Sequence, residues 1–329
     1  ADVSFKTVSR VLNGEAYERE APRDRVLTAA RSLNYQFNHA ARSLRSGAAQ
    51  IVALVVDNPS RAYMESVHLG ALQQCQKAGL HVVMEGGHVG ERDGTDIDLD
   101  ALEASIVETA PMGAVITPPL CDNPDVIAML ERRNIRYVLI APGQPARAPA
   151  SVNMDDRAAA REMTAHLIGL GHRRIGFIKG HPDHSATDIR YSGYLAALAE
   201  ADITPDDDLV TQGMFDWQSG LACADRLLAL AERPTAIFAS NDDMAAAVIA
   251  AAYRRDLHVP RDLSVTGFDD TPVAGVISPQ LTTIYQPIVE MVSEAVRILT
   301  DPVAGAGGEA TRITLPYRLV RRSSTGRVA

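Results

Sequence analysis

From Ile51 onward the chain alternates short Val/Ile-rich runs with amphipathic helical stretches, and that alternation restricts it to very few folds. The runs read as strands are Ile51–Val56, Leu80–Met84, Ala114–Thr117, Tyr137–Ile140, Arg174–Ile178, Ala236–Ser240 and Leu263–Phe268. They are apolar at consecutive positions, the pattern of strands covered on both faces. Helical stretches lie between them at Met64–Ala78, Asp156–Leu170, Arg190–Ala201, Gln218–Leu230 and Asp242–Arg255. Strand and helix in turn mean βαβ units and a mostly parallel sheet, an α/β fold. Pro142, Gly143, Pro145 and Pro149 interrupt the series midway, around Pro142–Val152, so two such sheets fit better than one. The 329 residues are enough for them, at about 100–200 residues per domain. Gly305–Gly308 reads as a surface turn and Ser323–Ala329 as a loose tail.

In open α/β sheets ligands bind beyond the C-terminal ends of the strands. Two such domains facing each other make a cleft, whose residues should follow strands directly. That rule selects Asn58–Tyr63, Thr117–Pro119, the loop after Ile178, Asn241–Asp243 and Asp269–Asp270.

The first 50 residues differ from the rest in charge. They carry eight Lys/Arg against five Asp/Glu, whereas the whole chain carries 32 against 41. A small basic head on an acidic body suits a polyanion partner that meets only the head, although a chance fluctuation of solvated charge would look the same. Within the head, Ser4 to Asn13 reads as a compact helix, with Ser4 able to cap its start and Gly14 to end it. At 100° per residue Lys6, Arg10 and Asn13 share one side with Phe5 and Ser9 beside them, while Val8, Val11 and Leu12 lie opposite. One face can pack while the other offers donors to guanine in a major groove, though a plain surface helix shows the same alternation. Pro22 fits the first turn of another helix, through about Leu33. After it, His39–Ser46 is a short stretch in which Leu44 is flanked by Arg42 and Arg45. It suits an apolar wedge in a minor groove, or an ordinary linker.

Other classes fit poorly. The longest apolar run, around Met244–Tyr253, is too short for a membrane span of about 18–20 residues. Cys75, Cys121 and Cys223 form no CxxC, and no basic-then-apolar signal segment stands at the N-terminus, so the expected compartment is the cytoplasm. His181-x-x-His184 lacks a third zinc ligand and reads as solvated loop histidines. Asp242-Asp243 and Asp269-Asp270 should point apart rather than form acid–base couples. Gly86-Gly87-x-x-Gly90 does not match GxGxxG, and neither a Walker A sequence nor a GxSxG elbow occurs. No catalysis, cofactor or metal is expected.

Thr7-Val-Ser-Arg-Val-Leu-Asn-Gly14, with Asn38-His-Ala-Ala-Arg-Ser-Leu44, closely resembles the lactose/galactose-repressor (LacI/GalR) family of bacterial transcriptional regulators. The resemblance continues through Gly169-Leu-Gly-His-Arg-Arg-Ile175, Arg190-x-x-Gly-Tyr194, Asn241-Asp-x-Met244, Gly267-Phe-Asp-Asp270 and Pro279-x-Leu-Thr-Thr-Ile-x-Gln286. It implies a helix-turn-helix head and hinge helix over 1–47, then a two-subdomain core over 48–329 like periplasmic sugar-binding proteins. Each subdomain would be a doubly wound, mostly parallel sheet, one from about 50–150 plus 286–310, the other from about 151–285 plus 311–325. The family's heads begin with a helix before the turn, and this chain opens inside that turn, at Ala1–Ser4.

By matching positions, the resemblance makes Phe5, Lys6 and Arg10 base readers and Leu44 the minor-groove wedge. Ser4, Thr7, Ser9, Asn13, Arg42 and Arg45 complete the implied DNA contacts. Arg190 matches the family's effector-binding arginine. Asn241, Asp269 and Gln286 match polar cleft positions, and Tyr63 and Phe215 cleft walls. The implied partners are a pseudo-palindromic operator, a small carbohydrate-like effector and a second copy of the chain, in a homodimer or a higher assembly of dimers. Phe37 stands where the family's junction carries proline, and Asn58-Pro59 comes early relative to the family pattern, leaving the effector open. A sugar-binding protein that never touches DNA is the alternative.

Overall fold

Ile51–Val55 (β1) shows why the apolar runs become central strands: Val52 and Leu54 point to one face, Ala53 and Val55 to the other, and all four are fully buried. The computed structural model describes residues 3–4, 7–8, 11, 20–32, 50–86, 97–301 and 310–328. The chain divides into two compact units, Ala1–Ala49 and Gln50–Ala329.

In the first unit Thr7 N donates to Ser4 Oγ at 3.2 Å and Val8 N to Ser4 O at 3.0 Å, the capped helical turn expected at Ser4. Val11 is buried. Glu20–Ser32 (α1) has Pro22 in its first turn and Val26 buried, as its pattern predicts. Gly14 and the His39–Ser46 stretch lie outside the described residues.

The second unit holds two parallel sheets. β1 lies between His81–Glu85 (β2) and Gly113–Ile116 (β3), followed outward by Tyr137–Ile140 (β4) and Ala150–Asn153 (β5). On one face Arg61–Ala78 (α2) packs over Val52, Leu54 and Val115; on the other, Leu99–Thr109 (α3) and Pro124–Arg132 (α4) cover Ala53, Val55 and Ile116. The second sheet has the order Val210–Gln212 (β7), Ile175–Lys179 (β6), Ala236–Ala239 (β8), Ser264–Thr266 (β9). Asp156–Gly169 (α5) and Ser185–Glu200 (α6) cover one face; Trp217–Leu228 (α7) and Asp242–Tyr253 (α8) cover the other. Pro272–Val276 (α9) and Thr283–Tyr285 (β10) follow.

Ile288–Thr300 (α10) then returns to the first sheet, burying Met291, Val292, Ala295 and Val296 beside α2. Gly70 permits that approach, because a Cβ there would stand 2.5 Å from Val289 O. Thr311–Thr314 (β11) adds an edge to the first sheet on β5, and Arg318–Val320 (β12) pairs antiparallel with β10. The chain therefore crosses between subdomains three times, at 154–155, 286–287 and 315–317. β5 and β11 join the first sheet, so the expected boundaries near 150 and 310 fall a few residues early. The proline-rich stretch around 142–152 ends in a strand of that sheet rather than dividing the two.

The tail expected to be loose is tied down. Ser324 is fully buried, its Oγ donating to Val265 O at 2.6 Å, and Val328 N donates to Leu170 O. Among the described residues no helix is long and apolar enough to cross a membrane.

Candidate functional site

Strand order reverses between β1 and β3 in the first sheet and between β6 and β8 in the second. At such a switch point neighbouring loops leave in opposite directions and open a crevice. The segments after these strands face one another across a cleft with a small cavity lined from both sides. Tyr63, Arg190, Phe215, Asn241, Asp269 and Gln286, picked from positions spread over 224 residues of sequence, all line it. So do Asn58 and Pro118, from loops that the strand-end rule selects.

Arg190 is the hub. It lies in the second turn of α6, which begins at Ser185 rather than at Arg190, and is buried. Its Nε donates to Asp156 Oδ1 at 2.8 Å, Nη1 to Ser240 O at 2.6 Å and Nη2 to Gln286 Oε1 at 3.3 Å. The guanidinium carbon sits 3.6 Å from the Phe268 ring centroid, a cation–π stack. Asp269 Oδ1 is 3.9 Å from Nη1, an ion pair without a hydrogen bond. Burial holds the Asp269 carboxyl well above the usual range; Arg190 opposes this and Asp242, Asp243 and Asp156 add to it.

The walls are polar groups in unequal states of engagement. Asn241 caps α8 by accepting from Met244 N at 3.0 Å, and its Nδ2 donates to Phe215 O at 2.9 Å. Tyr63 is buried and its hydroxyl has no hydrogen-bond partner among the described residues. Burial, with Cys121 and Asp269 behind it, keeps that phenol protonated. The tip of the Phe215 ring abuts Gly180, where any Cβ would collide with it. Ala141, Phe215 and Asp269 all have positive φ (46°, 61° and 109°), so part of the lining is held in a backbone conformation that L-residues avoid. Such strain concentrates at functional sites because only the surrounding fold can maintain it.

Sequence reasoning missed two residues here. Asp156 follows Asp155, whose side chain caps α5 by accepting from Ala158 N at 2.8 Å, so Asp156 is free to turn inward to Arg190. The signal was the strand before them, hidden in the proline-rich stretch. His184, read as solvated, is buried at the start of α6, and its ring meets Phe215 at 5.3 Å between centroids. Burial lowers its pKa to about 3, with His181 and Arg190 acting in the same direction, so it is neutral. The paired aspartates diverge as expected. Asp242 accepts from Thr271 N and Thr283 Oγ1, Asp243 from Ser60 Oγ, and Asp270 pairs with Arg322. Among the described residues no group of three or more His, Cys, Asp or Glu could hold a metal ion.

Residues 1–38 match the family model "Bacterial regulatory proteins, lacI family", and residues 164–325 match "Periplasmic binding protein-like domain". The HTH-type transcriptional repressor PurR of Photobacterium profundum is 31% identical over 98% of this chain and 96% of its own. This chain belongs to the lacI family. Among solved structures of that family, a transcriptional regulator CelR–cellobiose complex matches at TM-score 0.75 and 30% identity, over 98% of this chain and 96% of its own. A lac repressor dimer bound to operator and the anti-inducer ONPF matches at 0.79 and 25%, with the same coverage. The chain is thus a DNA-binding transcriptional regulator, and the relatives are named as regulators, not as enzymes. Of the head residues, Ser4 and Thr7 form the helix start; Phe5, Lys6, Ser9, Arg10, Asn13, Arg42, Leu44 and Arg45 lie outside the described residues.

Proposed function

We propose that the chain acts in the bacterial cytoplasm as a homodimeric repressor whose hold on a pseudo-palindromic operator is set by a small carbohydrate-like effector in the cleft. Two heads related by a two-fold axis read two half-sites. In each, Phe5, Lys6 and Arg10 face bases, and Ser4, Thr7, Ser9 and Asn13 support them. Arg42, Leu44 and Arg45 engage the minor groove. Tyr63, Arg190, Phe215, Asn241, Asp269 and Gln286 bind the effector. One observation carries the reading: side chains from both subdomains converge on a single cavity around Arg190, so a ligand there touches both halves at once. Such a ligand favours one closure of the core, and closure changes the geometry of the segments leading to the heads. The solved relatives that hold operator, or cellobiose, support both arms of the proposal.

A salt titration of operator binding tests it. Counterion release by the basic head makes log affinity fall linearly with log salt concentration, with a slope near −0.9 per phosphate neutralised. A flat response overturns the DNA-binding arm as proposed. Arg190→Ala, assayed where its urea melt shows it folded, is expected to abolish the effector response and leave operator binding in place; loss of both in the folded variant overturns the assigned role of the cleft.

A further inference from the structure

We propose that closure of the core takes up a proton, carried by Asp243 where the two subdomains meet, so that acid favours the closed arrangement. The inference goes beyond the effector reading and shares with it only the closure of the core around the cleft.

Asp243 stands in the first turn of α8, outside the cavity lining, and its partner comes from the other subdomain. Ser60 Oγ donates to Asp243 Oδ2 at 3.0 Å. Ser60 is buried, and its Oγ also accepts from Tyr63 N at 3.4 Å, so the cap of α2 aims the hydroxyl proton outward at the carboxylate. The two ends of this bond belong to bodies joined by three crossings, at 154–155, 286–287 and 315–317. A change of angle between those bodies parts Ser60 from Asp243 and lets water reach both.

No cation accompanies the contact. Among the described residues Asp243 forms no ion pair, and the charged groups that face it are acids. They are Asp216 before α7, whose Oδ1 accepts from Ser219 N, Asp269 after β9, and Asp242 beside it on α8. Arg190 pairs with Asp156 and Asp269 instead, and Arg61, next to Ser60, is exposed. On closure the Asp243 carboxylate gives up hydration among like charges and receives one hydroxyl bond in return. Burial therefore holds the Asp243 carboxyl above its ordinary value; the Ser60 bond opposes this and Asp216 adds to it.

The other terms largely cancel between the two arrangements. The N-terminus of α8 favours the charged form in both. Asp242 is bonded to Thr271 and Thr283 of its own subdomain, and Asp269 keeps Arg190. The closed core thus binds the proton more tightly than the open one. Its population rises as pH falls through the gap between the two Asp243 pKa values, by at most about tenfold per pH unit, and levels off below both. The neutral acid still accepts from Ser60 through its carbonyl oxygen, so protonation removes a cost without loosening the contact.

The test is single-molecule energy transfer on the full chain, mixed with excess unlabelled chain. Dyes go on Asp125→Cys in α4 and Gln218→Cys in α7, exposed positions in different subdomains. Cys75, Cys121 and Cys223 are buried, which directs the dyes to the new thiols. With no ligand added, the closed-to-open ratio should rise at least about threefold between about pH 7.5 and 4.5. Asp243→Asn keeps the oxygen that accepts from Ser60 but cannot titrate, and should lose most of the rise. Ser60→Ala removes the bond that opposes the raised pKa, so the midpoint should move to higher pH, a shift that a purely structural contact would not produce. Four results overturn the inference: a ratio that ignores pH, one that falls with pH, a single arrangement throughout, or an Asp243→Asn protein that keeps half or more of the rise. If Asp243→Asn does not fold, the parent and Ser60→Ala decide. None of these results touches the effector site, which stands or falls on the Arg190→Ala comparison above.

Discussion

Ser60 Oγ donates to Asp243 Oδ2 at 3.0 Å, joining the start of α2 to the first turn of α8 across the cleft and across 183 residues of chain. The bond ties the first subdomain to the second beside the cavity. The subdomains also approach closely elsewhere, where a Cβ on Gly143 would lie 2.6 Å from Ser185 Cβ. The hydrogen bond fastens the conformation in which the two halves share the cavity lining, and the bare Gly143 backbone leaves room for it.

A double-mutant cycle measures the first fastening. Ser60→Ala also weakens the cap on α2, since Ser60 Oγ accepts from Tyr63 N, so the single variant is ambiguous. Combined with Asp243→Ala, the coupling free energy for binding of a neutral sugar should be about 1.5–3 kcal/mol, the range for a hydrogen bond to a charged group. Calorimetry on the four proteins checks it, and additive effects would mean that the bond is absent from the bound state.

Gly180→Ala should act on the wall rather than on the hinge. The new methyl collides with Phe215 and displaces the ring from the cavity. A neutral sugar should bind about tenfold more weakly, which is ~1.4 kcal/mol. Operator affinity measured without sugar should stay unchanged, and a fall in both would point to a wider disruption.

Arg190 holds the folded core together as well as lining the cleft. Its removal leaves the buried Asp156 carboxylate without its cation and Asp269 without the one charge that favours its ionised form. Arg190→Ala should therefore lower unfolding free energy by about 3–5 kcal/mol near neutral pH. Arg190→Lys recovers only part, because an ammonium cannot hold Asp156, Ser240 O and Gln286 in one plane. The deficit should shrink on acidification: an Asp269 carboxyl whose folded pKa is raised destabilises only once it is ionised. Urea melts at several pH values check both the size and the trend.

His184 sets part of the acid limb. Its folded pKa falls from 6.5 to about 3, so the unfolded chain binds a proton that the native state refuses. The stability this confers is complete above pH 6.5 and is lost as pH drops toward 3, at up to ~1.4 kcal/mol per pH unit. Asp242 works against it: burial raises its pKa from 3.8 to about 7, so stability declines as pH rises through that window. Between about pH 6 and 4 the two oppose each other, so His184→Asn, which leaves Asp242 alone, should make stability at the acid end of that window higher relative to pH 6 than it is in the parent. An unchanged acid limb in urea melts would contradict the buried, neutral assignment.

The first sheet and the second were legible where strands are central. Ile51–Val55, Tyr137–Ile140 and Ala236–Ala239 are unbroken apolar runs because helices cover both faces. β5, β7, β10, β11 and β12 escaped the pattern because they are three or four residues long and carry Ser, Thr, Asn or Arg. Missing β5 also hid Asp156, one residue past the cap of the helix that follows it. The six cleft residues were legible because strand ends and family motifs mark them. The positive φ of Phe215 and Asp269 left no trace in composition, since only tertiary packing imposes it. The burial of His184 was equally invisible, depending on a ring contact with Phe215, 31 residues away.

The central claim is that the cleft and the head are linked. Linkage is reciprocal: if a sugar changes operator affinity by some factor, operator must change sugar affinity by the same factor, typically 5–150-fold or about 1–3 kcal/mol. Fluorescence anisotropy of a labelled operator, titrated with and without saturating neutral sugar, gives one side. Calorimetry of the sugar, with and without saturating operator, gives the other at the same salt concentration. The account predicts two equal factors, both different from one. A sugar that binds the cleft and leaves operator affinity unchanged would contradict it.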